Sequence, residues 1–233
     1  MVPAFDNFLS GENAEVLAHL RRYAAGESIS ASVLLWGAPG SGRTHLLQAS
    51  VAAARAAGRP AHSIGHEAVG RADGRQVRPA GSETIPVEAE PGALYALDDV
   101  DLLPPDAQGR VFTFYNACRA AGSQLLLAAS VPAARLLVRD DLRTRIGAGL
   151  ILEVRPLADR DKPAALAAYA REQGFDLGAD VIGYLLTRGR RDMGTLIANL
   201  RELDRYSQVL KRPVTVAMVR ELLVAPATIE ERG

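Results

Sequence analysis

Val33-Leu34-Leu35-Trp36 runs without a break into Gly37-Ala38-Pro39-Gly40-Ser41-Gly42-Arg43-Thr44, and then into an Ala/Leu-rich segment that reaches Ala57 before Gly58. A short apolar run, a Gly/Pro turn and a breaker-free helix follow one another here. The spacing G-x-x-x-x-G-[KR]-[ST] is that of a phosphate-binding loop in the strand-to-helix context the motif requires. Glycines let backbone N–H groups approach phosphate oxygens, and the helix N-terminus adds partial positive charge. Gly37, Pro39, Gly40, Ser41, Gly42 and Arg43 are the candidate phosphate contacts. Thr44 offers a hydroxyl to Mg²⁺. Arg43 stands where lysine is usual, and its wider, planar guanidinium is no simple replacement for a compact ammonium. Nucleotide binding through the backbone is therefore expected, with weak γ-phosphate chemistry.

Working outward, Ala93-Leu94-Tyr95-Ala96-Leu97 is a second apolar run, and it ends in Asp98-Asp99. Acid at the C-terminal end of a buried strand suits a metal shell at Asp98 and a water-orienting carboxylate at Asp99. Taken alone, the pair reads first as solvated loop carboxylates; the phosphate loop upstream turns the reading to the site. Residues 106–121 place Val111, Phe114, Tyr115 and Cys118 on one helical face. Leu125–Ala129 and Leu150–Val154 read as two more buried-type strands. Apolar strands alternating with helices predict an α/β base with a parallel sheet covered on both faces. Residues 59–92 are rich in Gly, Arg and Pro; only 61–64 reads as a strand, and the rest as loops with at most one short helix.

After Arg155-Pro156 the pattern is helical only. Asp159 or Asp161 is placed to cap a helix running to about Gln173. Val181, Leu185 and Leu186 mark a second helix, and Met193 to Leu210 hold a stripe of nearly five turns. Thr215 is placed to cap a last helix. The expected organisation is a base over residues 1–156, an all-α lid over 157–224, and a frayed tail over 225–233.

The chain has 233 residues, 48% of them hydrophobic and 23% charged, which excludes a disordered protein. Twenty-seven basic residues balance 27 acidic ones, so overall charge gives no footprint for nucleic acid. The single cysteine, Cys118, excludes a disulfide scaffold and a cysteine-based zinc site, and fits a reducing cytosol. No apolar run reaches the roughly 18–20 residues of a membrane span, and no signal peptide opens the chain.

An α/β base with this loop and Asp-Asp strand, followed by a helical lid, resembles the AAA+ ATPases. Phe5-Asp6-Asn7-Phe8, Gly42-Arg43-Thr44-His45-Leu46-Leu47, Leu97-Asp98-Asp99-Val100, Asp141-Leu142-Arg143-Thr144-Arg145 and Arg155-Pro156-Leu157 narrow the resemblance to the DnaA-related family. The arginine in the loop is similar to that of its Hda-type regulatory branch. By itself Arg145 reads as a surface arginine in an arginine-rich chain. The resemblance puts it at the arginine-finger position, which acts in trans on a nucleotide held by a partner. It also implies that the Phe5–Phe8 segment packs beside adenine, with Phe8 at the site.

The resemblance implies a regulator that works with the DNA-loaded sliding clamp. It stimulates ATP hydrolysis by the replication initiator DnaA and so represses re-initiation. ADP, in preference to ATP, and Mg²⁺ are the implied ligands, with DNA contact indirect, a cytoplasmic location and a homo-oligomer allowed. Three departures weaken the chain's own catalysis: Arg43, Gly194 at the lid position of a phosphate-sensing arginine, and Ser130 at the sensor position after the third strand. Arg190 or Arg191 stands one turn from Gly194. The family's Gln/Leu-rich clamp-binding peptide has no counterpart in Met1 to Ala4, so an upstream start, or clamp binding that is weak or placed elsewhere, is expected. Direct origin reading is not expected, since only the base and lid are recognised. An autonomous DNA-dependent ATPase such as a helicase loader, and an adaptor with a vestigial nucleotide site, are the alternatives.

Overall fold

The computed structural model describes residues 3–28, 30–64, 85–189 and 192–224. Its first unit ends at Arg155 and its second begins at Pro156, one residue before the expected boundary. The tail from Ala225, Arg190, Arg191 and most of the 59–92 segment (residues 65–84) lie outside the described residues. Among those described, no helix is long and apolar enough to cross a membrane.

In the first unit, helix α1 (Ala14–Ala24) precedes strand β1 (Ser32–Trp36) and helix α2 (Arg43–Ala56). Strands β2 (Ala61–Ile64) and β3 (Leu94–Leu97), helix α3 (Pro105–Ala120), strand β4 (Gln124–Ala129), helix α4 (Asp140–Gly147) and strand β5 (Leu150–Glu153) follow. The five strands form one sheet in the order β2-β3-β4-β1-β5, and every pairing is parallel. Alternate residues of each inner strand face opposite sides. Leu34, Tyr95, Leu97, Leu125 and Leu127 pack with Phe114, Tyr115, Cys118, Leu142 and Ile146 of α3 and α4. Val33, Leu35, Leu94, Ala96, Leu126 and Ala128 pack with Leu20, Tyr23, Leu46, Leu47 and Val51 of α1 and α2. Both faces are therefore dry, which is why the inner strands are apolar beyond their first residues, Ser32 in β1 and Gln124 in β4.

One expectation needs correction. β5 is not a buried-type strand: Ile151 and Glu153 are exposed and Leu150 and Leu152 only partly covered, because β5 is the edge of the sheet. Trp36, the last residue of the first apolar run, is half-buried, because it ends β1 where the chain turns out of the sheet.

The second unit is four helices: α5 (Lys162–Glu172), α6 (Ala179–Arg188), α7 (Met193–Leu210) and α8 (Val216–Val224). Leu166, Val181, Leu185, Leu196, Leu200, Leu203, Met218 and Val219 make its core. Asp161 occupies the N-cap position of α5, but its side chain accepts no cap bond there. Asp159 instead accepts from the buried Lys162 Nζ at 2.6 Å. Asp192 caps α7 by accepting from the Thr195 N–H at 2.8 Å, and Thr215 Oγ1 accepts from the Met218 N–H at 3.4 Å.

Candidate nucleotide site and trans-acting face

The phosphate loop leaves the carboxyl end of β1 and enters α2. A Cβ on Gly37 would lie 2.2 Å from the Val154 carbonyl oxygen, so only glycine fits beneath that strand. The Gly37 N–H donates to the Ala129 carbonyl at 3.3 Å, which fixes the loop's start beside β4. Gly42 is the N-cap of α2 at φ +98° and has no side chain to cap the helix. The first-turn N–H groups therefore keep their capacity for an anion. Pro39 and Gly40 form the exposed bend between them.

Two buried polar atoms of this loop lack any hydrogen-bond partner: Ser41 Oγ and Arg43 Nη1. Buried donors without partners are costly, and a bound anion is the chemistry that would satisfy them. The loop thus fits a phosphate-bearing ligand. Thr44 Oγ1 donates to Asp98 Oδ2 at 2.6 Å, joining the end of β3 to the start of α2. These two oxygens could hold Mg²⁺, an ion that takes few protein ligands. Asp98 Oδ1 accepts the Asp99 N–H at 2.9 Å. Asp99 has left-handed backbone at φ 46°, a conformation that costs a non-glycine residue of order 1–3 kcal/mol.

Phe8 lies directly on the loop, where a Cβ on Gly42 would come within 2.5 Å of its ring. Its ring is 5.5 Å from that of His45. His45 Nε2 is 2.9 Å from the Ala4 carbonyl; a carbonyl only accepts, so Nε2 carries the hydrogen. The N-terminal segment is thereby strapped to the loop helix.

Arg145 lies in the last turn of α4. Leu142 and Ile146 anchor that helix in the core, and the Tyr115 hydroxyl donates to the Arg145 carbonyl at 3.0 Å. Neighbouring arginines are paired: Arg139 with Asp141 at 2.8 Å and Arg143 with Asp140 at 2.6 Å. The hydrogen bond from Arg139 is the main reason the Asp141 carboxyl titrates below its ordinary range. Among the described residues, the Arg145 side chain has no ion pair and no hydrogen bond.

The Gly194 position has open space, with only Asp192 Oδ1 within 4 Å of an added Cβ, at 3.5 Å. Ser130 follows β4 and is occupied by Asp101, which sequence reasoning had not singled out. Asn13 was also missed: it is buried and bonded to residue 155 at the end of the base. A third acid after Asp98-Asp99 was visible in the sequence as a signal for Asp101; nothing local marked Asn13.

The Hda lid domain family model matches residues 159–223. Domain III of the replication initiation protein DnaA from Thermotoga maritima superposes with a TM-score of 0.73 at 17% identity, over 95% of each chain. AMPPCP-bound DnaA from Aquifex aeolicus gives 0.63 at 21% identity, over 87% of this chain and 65% of that one. The Thermotoga maritima RuvB Holliday junction branch migration motor gives 0.64 at 17% identity, over 94% and 70%. At these identities the structural likeness establishes the fold, an AAA+ base and lid, while the lid match narrows the kinship. The fold is thus an AAA+ base and lid like domain III of DnaA, and residues 159–223 match the Hda lid domain model.

Proposed function

We propose that the chain is a nucleotide-binding regulator that stimulates ATP hydrolysis by the replication initiator DnaA and so represses re-initiation. Its partners in this reading are the initiator and the DNA-loaded sliding clamp, met in the cytoplasm, with DNA contacted only through them. The carrying observation is Arg145: its main chain is held on an anchored helix, its guanidinium has no partner among the described residues, and the neighbouring Arg139 and Arg143 are paired with Asp141 and Asp140. Such a group suits charge developing on a phosphate held by a neighbour, where an arginine is worth orders of magnitude in rate. The family of the lid supports the same reading.

The resident nucleotide in this reading is ADP in preference to ATP, with Mg²⁺ at Thr44 and Asp98. Gly37, Pro39, Gly40, Ser41, Gly42 and Arg43 cradle the phosphates, Phe8 closes over the loop, and Asp99 orients water. When bound, the nucleotide supplies charge and order to the loop; the chain's residues position it and exclude water. Arg43, Gly194 and Ser130 keep the chain's own turnover low.

The test is an initiator ATPase assay with DNA-loaded clamp, comparing the native chain with Arg145→Ala. Loss of at least tenfold in stimulation, with initiator binding retained, is expected. Full stimulation by the variant would sink the proposal.

A further inference from the structure

Nucleoside di- and triphosphates meet the same backbone donors in the phosphate loop. Discrimination between them falls to side chains on the neighbouring strand ends. Ser130 is such a residue: it follows Ala129, whose carbonyl accepts the N–H of Gly37 in the loop. A serine hydroxyl has one hydrogen to give. Here that hydrogen goes to Asp101 Oδ2, and the Ser130 N–H donates to the same oxygen at 3.1 Å. Asp101 lies in the one-turn 3-10 helix (Val100–Leu102) directly after Asp98-Asp99. Its other oxygen, Oδ1, is shut off from solvent and has no hydrogen-bond partner. Among the described residues no cation pairs with this carboxylate. The strand end beside the loop thus carries a carboxylate, and its hydroxyl has no hydrogen left to give.

We propose that Asp101, held by Ser130, is the specificity residue that favours a nucleoside diphosphate over a triphosphate. It acts by charge. The third phosphate brings added negative charge toward a carboxylate that no described cation neutralises and whose Oδ1 is shut off from water, and like charges repel. Asp98 does not do this, because its Oδ2 accepts from Thr44 and would face the cation. The inference rests on the nucleotide-binding reading above and deepens it.

Calorimetric titration of the full chain with ADP and with ATP, both with Mg²⁺, tests it on the native protein, Asp101→Asn and Ser130→Ala. The native protein is expected to prefer ADP. Asp101→Asn is expected to lower the ATP-to-ADP ratio of dissociation constants about tenfold, by tightening ATP. Asp101→Ser serves as a second neutral variant if the first does not fold. Ser130→Ala keeps the carboxylate and one of its two donors, so the native ratio is expected to persist. An unchanged ratio in Asp101→Asn, weaker ATP binding, or an equal shift in Ser130→Ala would overturn this proposal alone. Failure of the native protein to bind either nucleotide would overturn the nucleotide reading, and this inference with it.

Discussion

The side-chain amide of Asn13 pairs with the main chain of Arg155 as another backbone would. Its Nδ2 donates to the Arg155 carbonyl at 2.8 Å, and the Arg155 N–H donates to its Oδ1 at 2.8 Å. Asn13 is 2% exposed while Arg155 is exposed, so both bonds are partly buried. One side chain from before the first helix thus satisfies the last residue of the base.

Asn13→Ala leaves both main-chain groups of Arg155 without their partner and is expected to cost roughly 2–3 kcal/mol. Asn13→Asp can accept the N–H but has no donor for the carbonyl, so it is expected to recover only part. Urea midpoints read this, with the slope of the transition unchanged. Glu12→Gln removes only the exposed Arg155–Glu12 bridge and is expected to change stability by under about 0.5 kcal/mol.

Gly42→Ala meets two obstacles, a left-handed backbone at φ +98° and the Phe8 ring 2.5 Å from the new Cβ. The variant is expected to lose roughly 1–3 kcal/mol and to weaken nucleotide binding. Adding Phe8→Ala removes the ring but not the strained backbone. The double variant is therefore expected to be less damaged than the sum of the singles, a coupling that thermal melts can measure.

Burial pushes the Cys118 thiol from an ordinary 9.0 up to about 12. The sign follows: a group with a raised folded pKa contributes stability that is complete below its unfolded value and is lost as pH climbs from there. Melting temperature is expected to fall between pH 9 and 12, and Cys118→Ala to shallow that fall. Tyr23, also raised by burial, contributes to the same alkaline limb. Near pH 8 the native thiol is expected to resist an aromatic disulfide reagent and to react once the chain is unfolded in urea.

Arg145→Ala removes a side chain with no partner among the described residues, so its melting curve is expected to match the native one within about 0.5 kcal/mol. Tyr115→Phe is the contrast. It deletes the hydroxyl that donates to the Arg145 carbonyl and lies 3.0 Å from Ser32 Oγ. It is expected to cost roughly 1–2 kcal/mol and to lower stimulation by loosening the end of α4.

The inner strands were legible because each is dry on both faces, which forces apolar residues such as Leu34, Leu97 and Leu127 at successive positions after the polar starts Ser32 and Gln124. The same rule misled at β5. Leu150, Ile151 and Leu152 have a buried composition, but whether a strand is central or peripheral depends on sheet order, and local sequence does not encode that. The phosphate loop was readable because its glycines, its basic residue and its hydroxyl must be contiguous. Asn13 and Arg155 are separated by 142 positions, so no local pattern could pair them. Asp101 stood in plain view after Asp98 and Asp99. Its part emerged only when Ser130, 29 residues on, was seen to spend its single hydrogen there.

The place of β1 in the sheet sets a demand on synthesis. It pairs only with β4 and β5, and its register aligns Ser32 with Leu125 and Val33 with Leu150. A ribosome that has finished Trp36 must add roughly ninety further residues before β4 exists. At about 5–20 residues per second, that takes about 4–18 s. During this time Val33, Leu34 and Leu35 have no strand to pair with, although α2 and β3 have already been made. A nascent chain stalled before residue 124 carries a bare apolar strand with two open edges. It is the form in which this protein is most exposed to chaperones and to self-association.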